Sequence, residues 1–360
     1  MRTSIRLAFV LLIALCSLDC DIPKSLATGD DDEIIVFADD STWSALHTVL
    51  RETFEDTVFT PQAEEWFRLR KVDFSEFDQY TTNKNRIIIA PLNGEGPVAG
   101  YLASGLDSTV RRLVEEEREF VFTKYDLNAR QQLSMYLTAP NLVSLRAAIL
   151  SRPADLLYYF TNMALKRELA SLEAERKYNK QQIEQSLLER YGWTMTVQHD
   201  YVVAIDSASA RFFWMRRATP ADMERWIFVH WIDTERADLL TDEFALSLRN
   251  TITRTFLRTI DDDAYVEIAP YHLKIQRVDF LGRFAYEMRG NWRFTDKTGG
   301  GPFVNYTFYD PGTKRIYLID GSIFAPRVEK KKLILQLDGI LHTFRTEHAI
   351  SSQLISTREE

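Results

Sequence analysis

The stretch GGGPFVNYTFYD, residues 299–310, decides between two architectures. Three glycines in a row can let backbone amides cradle a phosphate, which places them between a strand and a helix N-terminus. They can equally give backbone freedom to a turn between antiparallel strands. The residues that follow favour the second reading. Alternating strand residues run on to the turn DPGTKR, and no Lys-Ser or Lys-Thr pair trails the glycines. Gly300, Gly301, Pro302 and Phe303 are therefore expected to form a hairpin turn, with Pro302 and Phe303 fixing where the next strand enters the sheet.

Working outward, the flanking chain is strand-rich. WTMTVQ, YVVAID, RFFWMRR and RWIFVHWID are strand-like runs separated by short polar turns. A helix over 241–260 is capped by Thr241, and further strands fall between Tyr265 and Phe324. In VEKKKLILQLDGILHTF (328–344), Leu333, Leu337, Ile340, Leu341 and Phe344 share one helical stripe. This half reads as an antiparallel sheet with helices against one face. In the first half, strands at 33–39, 85–92, 119–125 and 131–139 interleave with helices at 41–54, 106–117 and 141–150, as in an α/β layer. Ser41 or Thr42 would cap the first of these helices, and Asp107 or Ser108 the second. Between the halves, Pro153 to Tyr191 is largely helical, with a break near Asn179 and a left-handed stop at Gly192. The fold class is α+β: an N-terminal α/β layer domain, a helical linker, and a C-terminal antiparallel sheet packed with helices. The divisions are a signal segment (1–20), a polar tether (21–32), an N-terminal α/β domain (33–150), a helical connection (151–192), a C-terminal α+β domain (193–345) and a tail (346–360).

The N-terminus reads as an export signal. Arg2 and Arg6 precede the apolar run LAFVLLIALCSL (7–18), which ends at Asp19. The run is shorter than the roughly 20 residues a membrane-spanning helix needs. Both cysteines, Cys16 and Cys20, lie in or just after it, so residues 21–360 can hold neither a disulfide nor a thiolate metal site. Cys20 sits just past the run and before a short polar tether, and is read as the site of lipid attachment, with Cys16 the other candidate. An ordinary cleaved signal that releases a free periplasmic protein is the alternative. The net charge of −8 argues against a general nucleic-acid binder.

YEMRGNWRF, GGGPFVNYTFYD, KRIYLIDGSIFAP and KKKLILQLDGILHTF together resemble the C-terminal signature of DUF4837, a family of bacterial envelope lipoproteins whose domain is of unknown function. GDDDEIIVFADDSTW, YGWTMTVQHDYVVAI and RFFWMRR look like its upstream pattern, so the resemblance extends over nearly all of the mature chain. It implies an exported, lipid-anchored protein, and it supplies no catalytic residues.

The remaining motifs are weighed singly. NGEGPVAG (93–100) is a loose relative of the dinucleotide fingerprint, but Pro97 interrupts it, and a surface loop is the default. The six histidines form no HExxH-type pair. His230, on a strand with two apolar faces, reads as a hydrogen-bonded core residue, and His342 as exposed. The acidic runs GDDDE and IDDDA lack the spacing of a calcium loop. EKKK (329–332) could meet lipid head groups or anionic glycans, or simply start a helix. Arg289, Trp292 and Arg293, with Trp214, Arg216 and Arg217, supply the Arg-and-aromatic combination that holds sugars, carboxylates or protein partners. Core tryptophans flanked by surface arginines are the competing reading. No catalytic residue, cofactor or metal is assigned. The expected role is non-catalytic binding or structure in the envelope of a Gram-negative-type bacterium, lipid-anchored at the outer membrane or free in the periplasm. The expected partners are the membrane, through an N-terminal lipid, and an envelope protein or cell-wall glycan. An envelope hydrolase acting on glycan or peptide through carboxylates is the alternative.

If Cys20 carries the lipid, Cys20→Ser moves the protein from the membrane to the soluble fraction, whereas Cys16→Ser leaves it membrane-bound. Fractionation of cells expressing each variant reads this directly, and the reverse pattern assigns the anchor to Cys16.

Overall fold

The computed structural model describes residues 23–219 and 223–351. The signal segment, both cysteines and with them the Cys20 attachment site, and the end of the tail lie outside the described residues. Among those described, no helix is long and apolar enough to cross a membrane.

The first half contains β1 (Glu33–Ala38), α1 (Asp40–Phe54), a small hairpin of β2 (Thr57–Phe59) and β3 (Ala63–Glu65), then β4 (Arg68–Val72) and β5 (Asn85–Ile89). It continues with α2 (Pro97–Gly105), α3 (Ser108–Glu115), β6 (Val121–Tyr125), β7 (Leu133–Leu137), α4 (Leu142–Ser151) and α5 (Pro153–Ala174). The strands make one sheet in the order β4-β1-β5-β7-β6, parallel throughout except for β6. β1 and β5 are apolar on both faces because both faces are covered. Ile34, Val36, Ile87 and Ile89 pack with α1, α4 and α5, while Ile35, Phe37 and Ile88 pack with α2 and the 3-10 turn at Phe74–Tyr80.

Two local expectations change here. Pro97 does not interrupt NGEGPVAG but opens α2 at its first turn, where a proline loses no hydrogen bond. The anion position at that helix start is already filled, since the Asp39 carboxylate accepts from the Val98 and Ala99 N–H groups at 3.0 and 3.1 Å. A Cβ on Gly96 would lie 2.2 Å from Asp39 Cγ, so the glycine serves this internal plug. Asp39 also precedes α1, which starts at Asp40 without a side-chain cap, rather than with the expected Ser41 or Thr42.

The second half begins with α6 (Gln181–Tyr191), which Gly192 ends at φ +73°. Asn179, in extended conformation, separates it from the preceding helical turn. Then come β8 (Trp193–Thr194), β9 (Val202–Ser207), β10 (Phe212–Thr219), β11 (Met223–Asp233), α7 (Asp242–Phe256), β12 (Val266–Ile268), β13 (Lys274–Phe280), β14 (Arg283–Phe294), β15 (Gly300–Asp310), β16 (Arg315–Phe324), α8 (Lys331–Leu341) and β17 (Arg345–Thr346). The main sheet is antiparallel, in the order β12-β14-β15-β16-β11-β10-β9, with β13 also on β14. The chain is thus a mixed α+β fold. WTMTVQ pairs only over its first two residues, with β17. Beyond them the backbone is held by side chains, with Thr196 N donating to Thr343 Oγ1 and Val197 N to Glu184 Oε1.

Helices cover both faces of this sheet, not one. Ile227, Val229 and Trp231 of β11 join α6 and α8 in one core, while Trp226 and Phe228 join Ala245 and Ile252 of α7 in the other. The glycines of GGGPFVNYTFYD also differ from expectation. The hairpin is present, but Gly300, Gly301, Pro302 and Phe303 are paired within β15 against Arg293, Trp292, Asn291 and Gly290. The physical reason is close approach, since a Cβ on Gly301 would lie 1.8 Å from the Ile323 carbonyl oxygen.

Trp292 is 1% exposed, donates from Nε1 to the Ile323 carbonyl at 3.1 Å and packs on Trp226 with ring centres 4.7 Å apart. It belongs to the core rather than to a binding edge. Trp292→Ala is expected to lower stability by about 3–5 kcal/mol, read from chemical denaturation.

Candidate functional site

The arginines and tryptophans singled out in the sequence do not converge. Alternation along β14 and β10 puts Trp292, Trp214 and Arg216 on the α7 side of the sheet, and Arg289, Arg293 and Arg217 on the α8 side. Arg293 pairs with Glu267, Arg216 with Glu224, and Trp214 stands edge-on to Trp226. Two residues of the EKKK run face inward: Lys330 is buried, and Lys331 Nζ reaches Asp32 Oδ2 at 3.0 Å, while Glu329 and Lys332 are exposed. Asp30 and Asp32 of GDDDE pair with Arg68, and Asp31 with Lys84. Among the described residues no group of three His, Cys, Asp or Glu could hold a metal.

Arg289 instead anchors a charged network under α8. Its Nε donates to Glu287 Oε1 at 2.6 Å, and its Nη2 donates to Asp338. Tyr306 OH donates to Asp338 Oδ1 at 2.8 Å, and His342 Nδ1 lies 3.1 Å from the same oxygen. His342 is half-buried against Phe280 rather than exposed. Burial favours a neutral Asp338, but the Arg289 charge outweighs it and holds the carboxyl well below its usual range. Burial likewise opposes a charged His342, yet the Asp338 hydrogen bond and charge raise its pKa. On the opposite face, fully buried Arg249 pairs with Asp320 at 2.7 Å, and Asn305 and Ser322 complete the carboxylate's partners. In both networks the carboxylates are buried against their partners, while the Arg289 side chain is 30% exposed and Arg249 Nη1 has no hydrogen-bond partner among the described residues. His230 is half-buried, and its Nδ1 has no hydrogen-bond partner among the described residues.

The open site is a cleft of about 360 Å³ between α5, α8 and the β10–β11 pair. Helix α5 contributes Glu168, Ser171 and Leu172, with Glu175 just beyond its end. The segment after β8 contributes Gln198, His199 and Asp200, and the sheet and α8 contribute Arg217, Arg225 and Gln336. Arg217 and Arg225 stand directly opposite each other across the two strands, an arrangement that like charges disfavour. Arg217 is balanced by Asp200. Arg225 donates to the neutral Gln336 Oε1 at 2.9 Å and makes no ion pair among the described residues. Burial pushes the Arg225 pKa down and the Glu168 pKa up. Next to Asp200, the fully buried Tyr201 hydroxyl has no hydrogen-bond partner among the described residues. Ser171 and His199 both line the cleft but share no hydrogen bond, so they are not an assembled nucleophile and base.

Residues 180–343 match the family model described as domain of unknown function DUF4837. Residues 27–173 match a separate model, also a domain of unknown function, DUF8532. The resemblance that the sequence suggests over nearly the whole mature chain therefore divides between two families. No curated protein matches the chain. Among solved structures, LpqN, involved in cell envelope biogenesis of Mycobacterium tuberculosis, is 12% identical over 42% of this chain and 81% of its own, with a TM-score of 0.27. The Saccharomyces cerevisiae Ran-binding protein Mog1p is 9% identical over 43% of this chain and 90% of its own, with a TM-score of 0.30. Likenesses of this size carry no function across.

Glu168, Ser171 and Leu172 lie within the DUF8532 match, whereas Arg217, Arg225 and Gln336 lie within the DUF4837 match. Neither region alone makes the cleft. The DUF4837 match also includes His342, whose raised pKa sets a pH dependence. Its stabilising contribution is complete below the unfolded value of about 6.5 and is lost as pH rises through the higher folded value. The urea midpoint is expected to be higher at pH 6 than at pH 8.5 for the wild type, with a smaller difference in His342→Gln.

Proposed function

We propose that this is an exported cell-envelope protein, held by lipid on Cys20, whose cleft binds a polar partner without chemically changing it. The export segment and the DUF4837 assignment support the envelope setting, with the outer membrane of a Gram-negative-type bacterium as the site of anchoring. The observation that carries the binding role is the opposed pair of Arg217 and Arg225 at the cleft wall. Two arginines at directly paired strand positions repel one another, and a ligand that accepts hydrogen bonds relieves that cost. Candidate partners are a segment of an envelope protein or a cell-wall glycan.

A second reading, an envelope hydrolase, draws on Glu168. It is a cleft carboxyl held above its usual range by burial, as a general acid requires. Glu175 lies two helical turns along, roughly 10 Å by the rise of an α-helix, near the upper end of the separation used by inverting glycosidases. The third cleft carboxylate, Asp200, is committed to Arg217 and adds nothing to such a pair.

One set of preparations tests both. Crosslinking and pull-down from intact envelopes is expected to recover a partner with the wild type. Ser171→Trp, at an exposed helix position facing the cleft, is expected to lose it without a change in thermal midpoint. Equal recovery with both proteins removes the cleft from the binding face. Release of soluble sugar or peptide from isolated cell walls by the wild type, abolished in Glu168→Gln, would establish the hydrolase instead.

A further inference from the structure

We infer that the cleft takes a small acidic sugar, one bearing a single carboxylate and a ring of hydroxyls, with the carboxylate docked on Arg225. The inference rests on the reading of the cleft as a binding site and deepens it by naming the ligand class. Three observations lead to it.

The first is charge balance. Arg217 is neutralised by Asp200, whereas Arg225 donates to the amide oxygen of Gln336 and makes no ion pair among the described residues. One guanidinium at the wall is therefore left without an ion pair, with Glu168 and Asp200 acting on it only from a distance, and its planar fork matches one carboxylate. A phosphate, with close to two negative charges, would face Glu168, Glu175 and Asp200 across the same space. Burial pushes the Glu168 pKa up, against the lowering pull of Lys332 and Arg225.

The second is the lining. Leu172 is the apolar residue there, and the rest is amide, hydroxyl, imidazole, carboxyl or guanidinium. A peptide end would bring an apolar side chain with no pocket to receive it. A sugar acid brings hydroxyls, for which Gln198, Ser171, Glu175 and Gln336 supply both donors and acceptors. The third is size, since about 360 Å³ lies at the small end of ligand pockets and suits one or two sugar units.

Calorimetric titration of the full-length protein with methyl β-glucuronide tests the assignment, with methyl β-glucoside, N-acetylalanine and inorganic phosphate as comparisons. Saturable binding of the glucuronide is expected. It should weaken at least tenfold for the neutral glucoside and for Arg225→Gln, and stay unchanged in Arg293→Gln, whose guanidinium pairs with Glu267. Arg225→Lys, which keeps the charge and loses the fork, should retain part of the affinity and serves if the Gln variant does not fold. Tighter binding of N-acetylalanine would transfer the site to peptide carboxylates, and tighter binding of phosphate to dianions. Either result overturns the sugar assignment. No saturable binding of the glucuronide overturns it as well. In that case, loss of partner capture in Ser171→Trp would leave the cleft as a binding site for another ligand class, whereas unchanged capture would end both readings.

Discussion

Helix α5 spans 22 residues, roughly 33 Å at the α-helical rise, and its two ends are buried in different cores. Leu156, Phe160 and Met163 pack with the parallel sheet, while Leu172 packs with α6, α8 and the antiparallel sheet. Between them, buried Arg167 donates to the Lys84 and Gln131 carbonyls and to Asn85 Oδ1, each at 2.9 Å, which fixes the helix against the first sheet. Its far end meets α8 at Gly339, where a Cβ would come within 3.2 Å of Glu168 Cβ. The cleft depends on this shared helix. Glu168 and Ser171 stand opposite Arg217 and Arg225 because a rod rooted in one core runs alongside the other.

The position of α8 is set at both ends. At its start, the Glu64 carboxylate accepts from the Lys330 and Lys331 N–H groups at 2.8 to 3.0 Å, where a negative charge also meets the positive end of the helix dipole. The Lys330 and Lys331 side chains reach back to Gln62 and Asp32 in the first half. Toward its C-terminal end, Asp338 and His342 tie the helix to Arg289 and Tyr306 on the sheet. Gln336 lies between these two fastenings, so the amide that meets Arg225 is held in place by contacts from both halves of the chain.

How much of this was legible follows from which contacts are local. EIIVFA and NRIII announce strands buried on both faces, and Thr241, Asp107 and Gly192 mark helix ends through their own side chains or backbone. β4, RLRKV, went unread because an edge strand with charged residues at exposed positions lacks an apolar run. α2 was hidden because glycine and proline suggest a loop until Pro97 is seen at the first helical turn. The glycines of β15 suggest a turn because the Ile323 carbonyl that crowds Gly301 is more than twenty residues away in sequence. For the cleft, Arg217 was noted beside Arg216, but Arg225 passed as the start of an apolar strand. A hairpin register centred on residue 221 would have placed Arg217 and Arg225 opposite each other, and that symmetry was the available signal. Glu168 and Gln336 had none, since only the crossing of α5 with α8 brings them to the site.

A buried or half-buried guanidinium without a carboxylate is not in itself a mark of function. Arg86 has none, yet Ser134, Asn128 and the Tyr80 carbonyl receive its donors, and Arg167 is served by carbonyls and an amide. Elsewhere on the antiparallel sheet, Arg249, Arg283, Arg289, Arg293 and Arg315 each meet an acidic partner. Arg225 differs from both groups. It makes one hydrogen bond to a neutral oxygen, faces a second guanidinium across the strand pair, and borders open volume. Folding alone would favour an uncharged residue there, because desolvating an under-partnered cation opposes the native state. In the proposed binding role, an anion entering the cleft offsets that penalty at a guanidinium that borders open volume.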